Sequence, residues 1–178
     1  SPTTTTPVCA LHDSYDATAQ FSGVAGLDCW TSIDGNGGGL VFNNDSQMWQ
    51  SPSDAGLFSW NTGLHPGLNV DVIRRFTVAV DGDVHVTGSF SDADPGGGDG
   101  VVVEVRGAAG LLFQDVIVNG GAPVSFDLTL NARRGETIDL VVKRNADNAY
   151  DTTGLAALVF GNTLRRFACV ELLPAVLL

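Results

Sequence analysis

Residues 74–107 read RRFTVAVDGDVHVTGSFSDADPGGGDGVVVEVRG, and residues 133–154 read RRGETIDLVVKRNADNAYDTTG. In the first stretch Val84, Val86, Gly88 and Phe90 alternate with His85, Thr87, Ser89 and Ser91. A strand with one buried and one wet face has this period of two. Val101, Val103 and Val105 repeat it against Val102, Glu104 and Arg106. Between the two runs, Asp92-Ala-Asp94-Pro-Gly-Gly-Gly-Asp99-Gly100 holds too many turn formers to be strand or helix. Working outward, strands are expected over 73–80, 84–90, 101–106, 111–118, 124–130, 137–143 and 155–160. Asp81-Gly82, Asn119-Gly120-Gly121 and Arg134-Gly135 provide turns between them.

Upstream the pattern weakens. Residues 12–21 suit an edge strand, 40–42 and 57–60 suit short strands, and 23–39 reads as loop. Met48-Trp49 sits between polar turns, and Leu64-His65-Pro66-Gly67 reads as a turn. No window supports a helix, because Gly and β-branched residues interrupt each one. Short, evenly spaced strands in 178 residues predict an all-β chain, an antiparallel β-sandwich with jelly-roll-like character. Three segments follow: a Thr/Pro-rich linker over 1–11, the sandwich over 12–168, and an apolar tail over 169–178. The tail is too short to span a bilayer, so it packs on its own domain or docks on a neighbour.

Nine basic residues against twenty acidic ones give a formal charge of −11. Phosphate binding needs clustered Lys and Arg, so nucleic acid is excluded as a partner and anionic membranes are disfavoured. Neutral, cationic or metal-bridged ligands remain. The opening SPTTTTP is like the extended linkers between extracellular modules, where Thr is often O-glycosylated, and Asn44-Asp45-Ser46 is a formal N-glycosylation sequon. An extracellular or cell-surface location is therefore expected.

The cysteines are Cys9, Cys29 and Cys169, with no CxxC pair. Cys9 and Cys169 flank the patterned region, and a bridge between them would staple neighbouring first and last strands, leaving Cys29 free. The alternative is three buried thiols.

The order Tyr15-Asp-Ala-Thr…Phe21, Trp49, Leu64-His-Pro-Gly67, Arg75-Phe-Thr…Gly82-Asp-Val…Gly88-Ser-Phe…Asp92…Gly98-Asp-Gly-Val101, Gly135-Glu-Thr-Ile-Asp-Leu…Tyr150-Asp-Thr-Thr-Gly154 resembles β-sandwich modules of bacterial secreted and cell-surface proteins. Similar segments occur in planctomycete extracellular proteins, in exosortase-sorted surface proteins and beside polysaccharide-degrading domains. The resemblance covers residues 12–161 and implies a non-catalytic, lectin-like carbohydrate-binding jelly roll, with a glycan or polysaccharide as partner. A structural subunit of a surface layer, filament or particle, assembling through residues 170–178, is the other reading.

Two kinds of site are expected. Asp92, Asp94 and Asp99 lie among glycines that let carbonyls turn inward, as a Ca²⁺ loop requires, though without EF-hand spacing; turn-capping is the plain alternative. Asp147 and Asp151 near Tyr150, or Asp13 and Asp16, form a second acidic cluster. For a sugar, Trp30, Trp49, Trp60 and Tyr150 are the candidate platforms, with His65 nearby; each Trp taken alone equally suits the core. Trp49, flanked by Gln47, Gln50 and Ser51, is the first choice for an exposed platform. Catalysis is not expected: HExxH and GxSxG are absent, and the only glutamates are Glu104, Glu136 and Glu171.

Overall fold

The computed structural model describes residues 9–161. The apolar tail, Cys169 and residues 1–8 of the expected linker lie outside them. Six short strands come first: β1 (Tyr15–Asp16), β2 (Trp30–Asp34), β3 (Val41–Asn43), β4 (Met48–Gln50), β5 (Phe58–Trp60) and β6 (Gly63–His65). Seven longer ones follow: β7 (Val72–Thr77), β8 (Gly82–Asp92), β9 (Val101–Gly107), β10 (Gly110–Ile117), β11 (Val124–Ala132), β12 (Thr137–Arg144) and β13 (Thr153–Gly161). One 3-10 turn, Leu27–Cys29, precedes β2.

The strands form two antiparallel sheets. One has eight strands in the order β11-β8-β13-β6-β5-β4-β3, with β1 also on β13; the other runs β10-β9-β12-β7-β2. β13 is the hinge of the larger sheet. Along one edge it pairs with β8 over its whole length; its other edge is shared between β6 at Thr153–Gly154 and β1 at Leu158–Val159.

The alternation in the sequence becomes the core. Val84, Val86 and Phe90 of β8 and Leu155, Ala157 and Val159 of β13 face inward from the larger sheet. Val101, Val103, Val105, Ile138, Leu140, Val142, Val72 and Phe76 belong to the same cluster and come from the smaller sheet. Apolar area removed from water in this way is the main driving term, at about 25 cal/mol per Å².

Glu104 departs from the simple in-out pattern. It lies on the outer face of the smaller sheet yet is buried, because Arg106 Nε (2.6 Å) and Lys143 Nζ (3.0 Å) donate to its carboxylate and their stems cover it. Arg75 and Asp139 form a two-bond pair beside them, each bond 2.7 Å. These long side chains roof a small second cluster of Ile33, Ile73 and Val141.

The disulfide joins Cys9 to Cys29, with Cα atoms 4.5 Å apart. This corrects the expected Cys9–Cys169 bridge. First and last strands are indeed neighbours, but Cys9 crosses to the buried Cys29 at the end of the 3-10 turn. Further expectations change, and Leu64-His65, expected in a turn, lie in β6. Residues 30–34 are strand rather than loop, and Met48–Gln50 is strand because it pairs with both β3 and β5. The strand expected over 12–21 shrinks to Tyr15–Asp16.

Candidate functional site

Strands β3 to β6 form the short-stranded end of the larger sheet, and their alternation sorts the aromatics onto two faces. On β5, Ser59 points inward to Ser32 Oγ (2.9 Å) and to Arg74, which leaves Phe58 and Trp60 on the outside. On β6, Leu64 is inward and fully buried, and His65 is outward opposite Phe58. The Phe58 and His65 rings stack at 4.8 Å with 11° between planes, and Trp60 lies 5.7 Å from Phe58. The strip is anchored at both ends. His65 Nδ1 donates to the Gly56 carbonyl at 2.6 Å, and Trp60 Nε1 donates to Thr62 Oγ1 at 2.9 Å.

Polar groups flank the strip. Gln50 is the cross-strand partner of Phe58, and its Oε1 accepts from Asn43 Nδ2 at 3.2 Å. On the other side Trp60 pairs with Gly63, Gly63 with Gly154, and Gly154 with Ser91. A Cβ at Gly63 would collide with the Trp60 ring, so glycine there lets the indole lie down on the sheet.

Arg74 holds this region from behind. It is buried, donating from Nη1 to the Ala17 carbonyl (2.9 Å) and from Nη2 to Ser59 Oγ and the Trp60 carbonyl (both 2.7 Å). Its guanidinium also sits 4.6 Å over the Phe21 ring. Burial lowers its pKa to about 9.

The structure thus brings together two of the residues expected at a sugar site, the platform Trp60 and His65. The other two tryptophans face the interior. Trp49, expected as the exposed platform, is 8% exposed; it packs on Phe42 and donates from Nε1 to the Ser22 carbonyl at 2.8 Å. Its polar sequence neighbours misled because on a three-residue strand Met48 and Gln50 take the outer face and the residue between them goes in. Trp30 is buried against Phe76. Sequence reasoning missed Phe58 and Gly63. The signal available was Phe58-Ser59-Trp60, two aromatics in phase around a small polar residue.

Asp92, Asp99, Asp147 and Asp151 collect at one end of the sandwich, away from Asp13 and Asp16. Asp92 caps its own turn through the Asp94 N–H (2.8 Å) and accepts from the Gly120 N–H (2.6 Å); Asp99 Oδ2 accepts from the Ala146 N–H (2.6 Å). Tyr150, 52% exposed at φ 63°, lays its ring over Gly96 and Gly97. Asp151 lies beneath, 1% exposed, with no partner for either carboxylate oxygen among the described residues. The two acidic clusters that the sequence keeps separate, 92–99 and 147–151, therefore meet. Among the described residues no three His, Cys, Asp or Glu side chains converge as a metal-binding group. No helix among them is long and apolar enough to cross a membrane.

No family model matches the chain, and no curated protein matches it. Similar solved structures include the CBM51 domain of Clostridium perfringens GH95 in complex with methyl-galactose: 12% identity over 69% of this chain and 81% of that one, TM-score 0.42. A family 35 carbohydrate-binding module from Clostridium thermocellum has 11% identity over 74% of this chain and 92% of its own, TM-score 0.40. The K2 cleaved adhesin domain of Lys-gingipain has 15% identity over 84% and 99%, TM-score 0.44. At such identities and TM-scores these likenesses decide neither ligand nor activity. The resemblance to planctomycete and exosortase-sorted surface modules likewise finds no family model to rest on.

Proposed function

We propose that this chain is a non-catalytic carbohydrate-binding module of a secreted or cell-surface protein. The observation that carries the reading is the outward strip of Phe58, Trp60 and His65 on a sheet face, flanked by the Gln50–Asn43 amide pair. Aromatic faces stack on the C–H faces of pyranose rings, and amides and hydroxyls at the rim take the sugar hydroxyls. Extended polysaccharide fits a flat strip better than a buried monosaccharide does. The acidic surface suits neutral or cationic glycans and repels sulfated or uronic ones. The Cys9–Cys29 disulfide supports an oxidising compartment.

Affinity gel electrophoresis against neutral plant, algal and bacterial polysaccharides, with a glycan array beside it, tests the proposal. Retardation by at least one neutral glycan that Trp60→Ala abolishes is the expected result. A chain that no glycan retards, with calcium present, overturns it.

A further inference from the structure

The end of the sandwich where Asp151 lies holds a cavity of about 10 Å³, lined among others by Asp92, Gly100, Ile117, Asn119 and Asp151. That is room for one water-sized particle. Three segments close around it: the β8–β9 loop, the β10–β11 turn and the β12–β13 loop. They are pinned by the Asp99–Ala146, Asp92–Gly120 and Ala93–Thr152 hydrogen bonds. The fit is tight, since a Cβ at Gly98 would strike the Ala149 carbonyl and one at Gly100 the Ile117 carbonyl. Polar atoms without a partner among the described residues lie in its lining, at Asp151 and Asn119, or next to it, at Asp99. Both oxygens of Asp151 and Oδ1 of Asp99 are buried without a donor, and so is the amide nitrogen of Asn119 without an acceptor.

A buried carboxylate left bare is costly, and a second one facing it adds repulsion. The charges of Asp99, Asp147 and Asp92 act against ionised Asp151, and among the described residues Arg144 is the cation that opposes them. We propose that Asp151, with Asp99 beside it, binds a single Ca²⁺ ion that locks the three connections together. Calcium suits the site because it accepts main-chain carbonyls and water along with a few carboxylates. Asp151 and Asp99 would supply the charge, and water and main-chain carbonyls of the loops the remaining oxygens. This moves the metal away from the Asp92–Asp94 turn, where both oxygens of Asp92 already hold backbone N–H groups. It is independent of glycan binding.

The metal-free site has a pH signature. Burial first, then the charges of Asp99, Asp147 and Asp92, against Arg144, raise the Asp151 carboxyl from 3.8 to about 7. A carboxyl raised in the folded state contributes stability that is present below its unfolded value and lost as pH rises through the folded one. In chelator, wild type should therefore lose ground to Asp151→Asn as pH goes from about 4 to about 7. Protons compete with calcium over the same range.

The experiment is thermal unfolding of the full chain, stripped with chelator and then titrated with CaCl₂ at pH 7.5. At calcium about one hundred times its dissociation constant, the melting temperature should rise by about 5–10 °C. Asp151→Asn should abolish the rise and, in chelator, melt above wild type, because it removes a buried unpaired charge. Asp94→Ala should keep the rise. If Asp151→Asn does not fold, Asp99→Asn takes its place and should cut the rise. A wild type indifferent to calcium would show that the cavity holds a proton and a water, and would overturn the proposal. So would a rise that survives Asp151→Asn or is lost in Asp94→Ala.

Discussion

The two halves of the eight-stranded sheet are built differently. β8, β11 and β13 run 11, 9 and 9 residues and pair with each other along nearly their full length. β3 to β6 are three residues each and share two or three residue pairs per neighbour. The long half is held by its ladders and by the valines beneath them. The short half has too few ladder bonds to hold itself, and it leans on side chains from elsewhere: Trp49 to Ser22, Arg74 to Ser59 and Trp60, Phe21 to Phe42 and Arg74. Because these long-range anchors lie on the inner face, the outer face, held only by local bonds such as Trp60 to Thr62 and His65 to Gly56, can carry Phe58, Trp60 and His65. The difference can be broken from inside or from outside, and the consequences should separate.

The largest effect is expected from Trp49→Ala. It empties a buried site and leaves the Ser22 carbonyl without its donor, at a cost of about 3–5 kcal/mol. Calorimetry should show the melting temperature falling by about 10 °C. A drop no larger than that of Trp60→Ala would mean that the two faces of the short half are energetically alike.

Next comes reduction of the Cys9–Cys29 bridge. The chain between the two cysteines supplies Ala17, Phe21 and Ser22, the anchors that the short strands use. Opening a loop of this length (the cysteines are 20 residues apart) costs about 3 kcal/mol. Peptide mapping without reductant should recover Cys9 linked to Cys29, and Cys9→Ser with Cys29→Ser should reproduce the loss. Recovery of Cys9 linked to Cys169 would contradict the structure.

The long half, and with it β9 of the smaller sheet, was nearly legible in the sequence, and the short half was not. Over Val84–Phe90 and Val101–Arg106 a period of two repeats often enough to place each strand within about two residues, and burial follows it at Val84, Val86, Phe90, Val101, Val103 and Val105. A three-residue strand shows a single alternation, which no period can establish. Trp49 therefore looked like a loop residue with polar company, although its partners on β3 and β5 lie before and after it in the chain. The disulfide was open for a related reason. Cys29 follows a turn with left-handed residues at Gly26 and Asp28, which places it against the N-terminal segment in a way that strand spacing does not reveal. The meeting of Asp99 with Asp151 was hidden as well, since it depends on how loops from three parts of the chain close one end.

Breaking the short half from outside should cost affinity and little stability. Trp60→Ala removes a partly exposed ring whose hydrogen bond, to Thr62, is local. As the anchor of the strip, it should weaken polysaccharide binding by about 30-fold, the scale of a 2 kcal/mol hot spot. Isothermal titration with the best-retarding glycan measures it, and undiminished binding would remove the strip from the site.

The smallest effect should come from Gln50→Ala, and it tests the strip most closely. Gln50 sits on β4 opposite Phe58, and among the described residues only one of its amide's groups is engaged, the oxygen that accepts from Asn43. Its NH₂ is therefore available to a sugar hydroxyl at the edge of the Phe58 ring. One neutral hydrogen bond contributes about 0.5–1.5 kcal/mol, so affinity should fall by about 2- to 10-fold. The melting temperature should hardly move, because the neighbouring Trp49 anchor is untouched. Loss of stability with no change in affinity would assign the Gln50–Asn43 pair to the fold and leave the aromatics without a polar rim on this side. A fall in affinity confined to glycans with a free hydroxyl at one ring position would show which sugar edge lies over β4, and hence the direction in which the polysaccharide crosses the sheet.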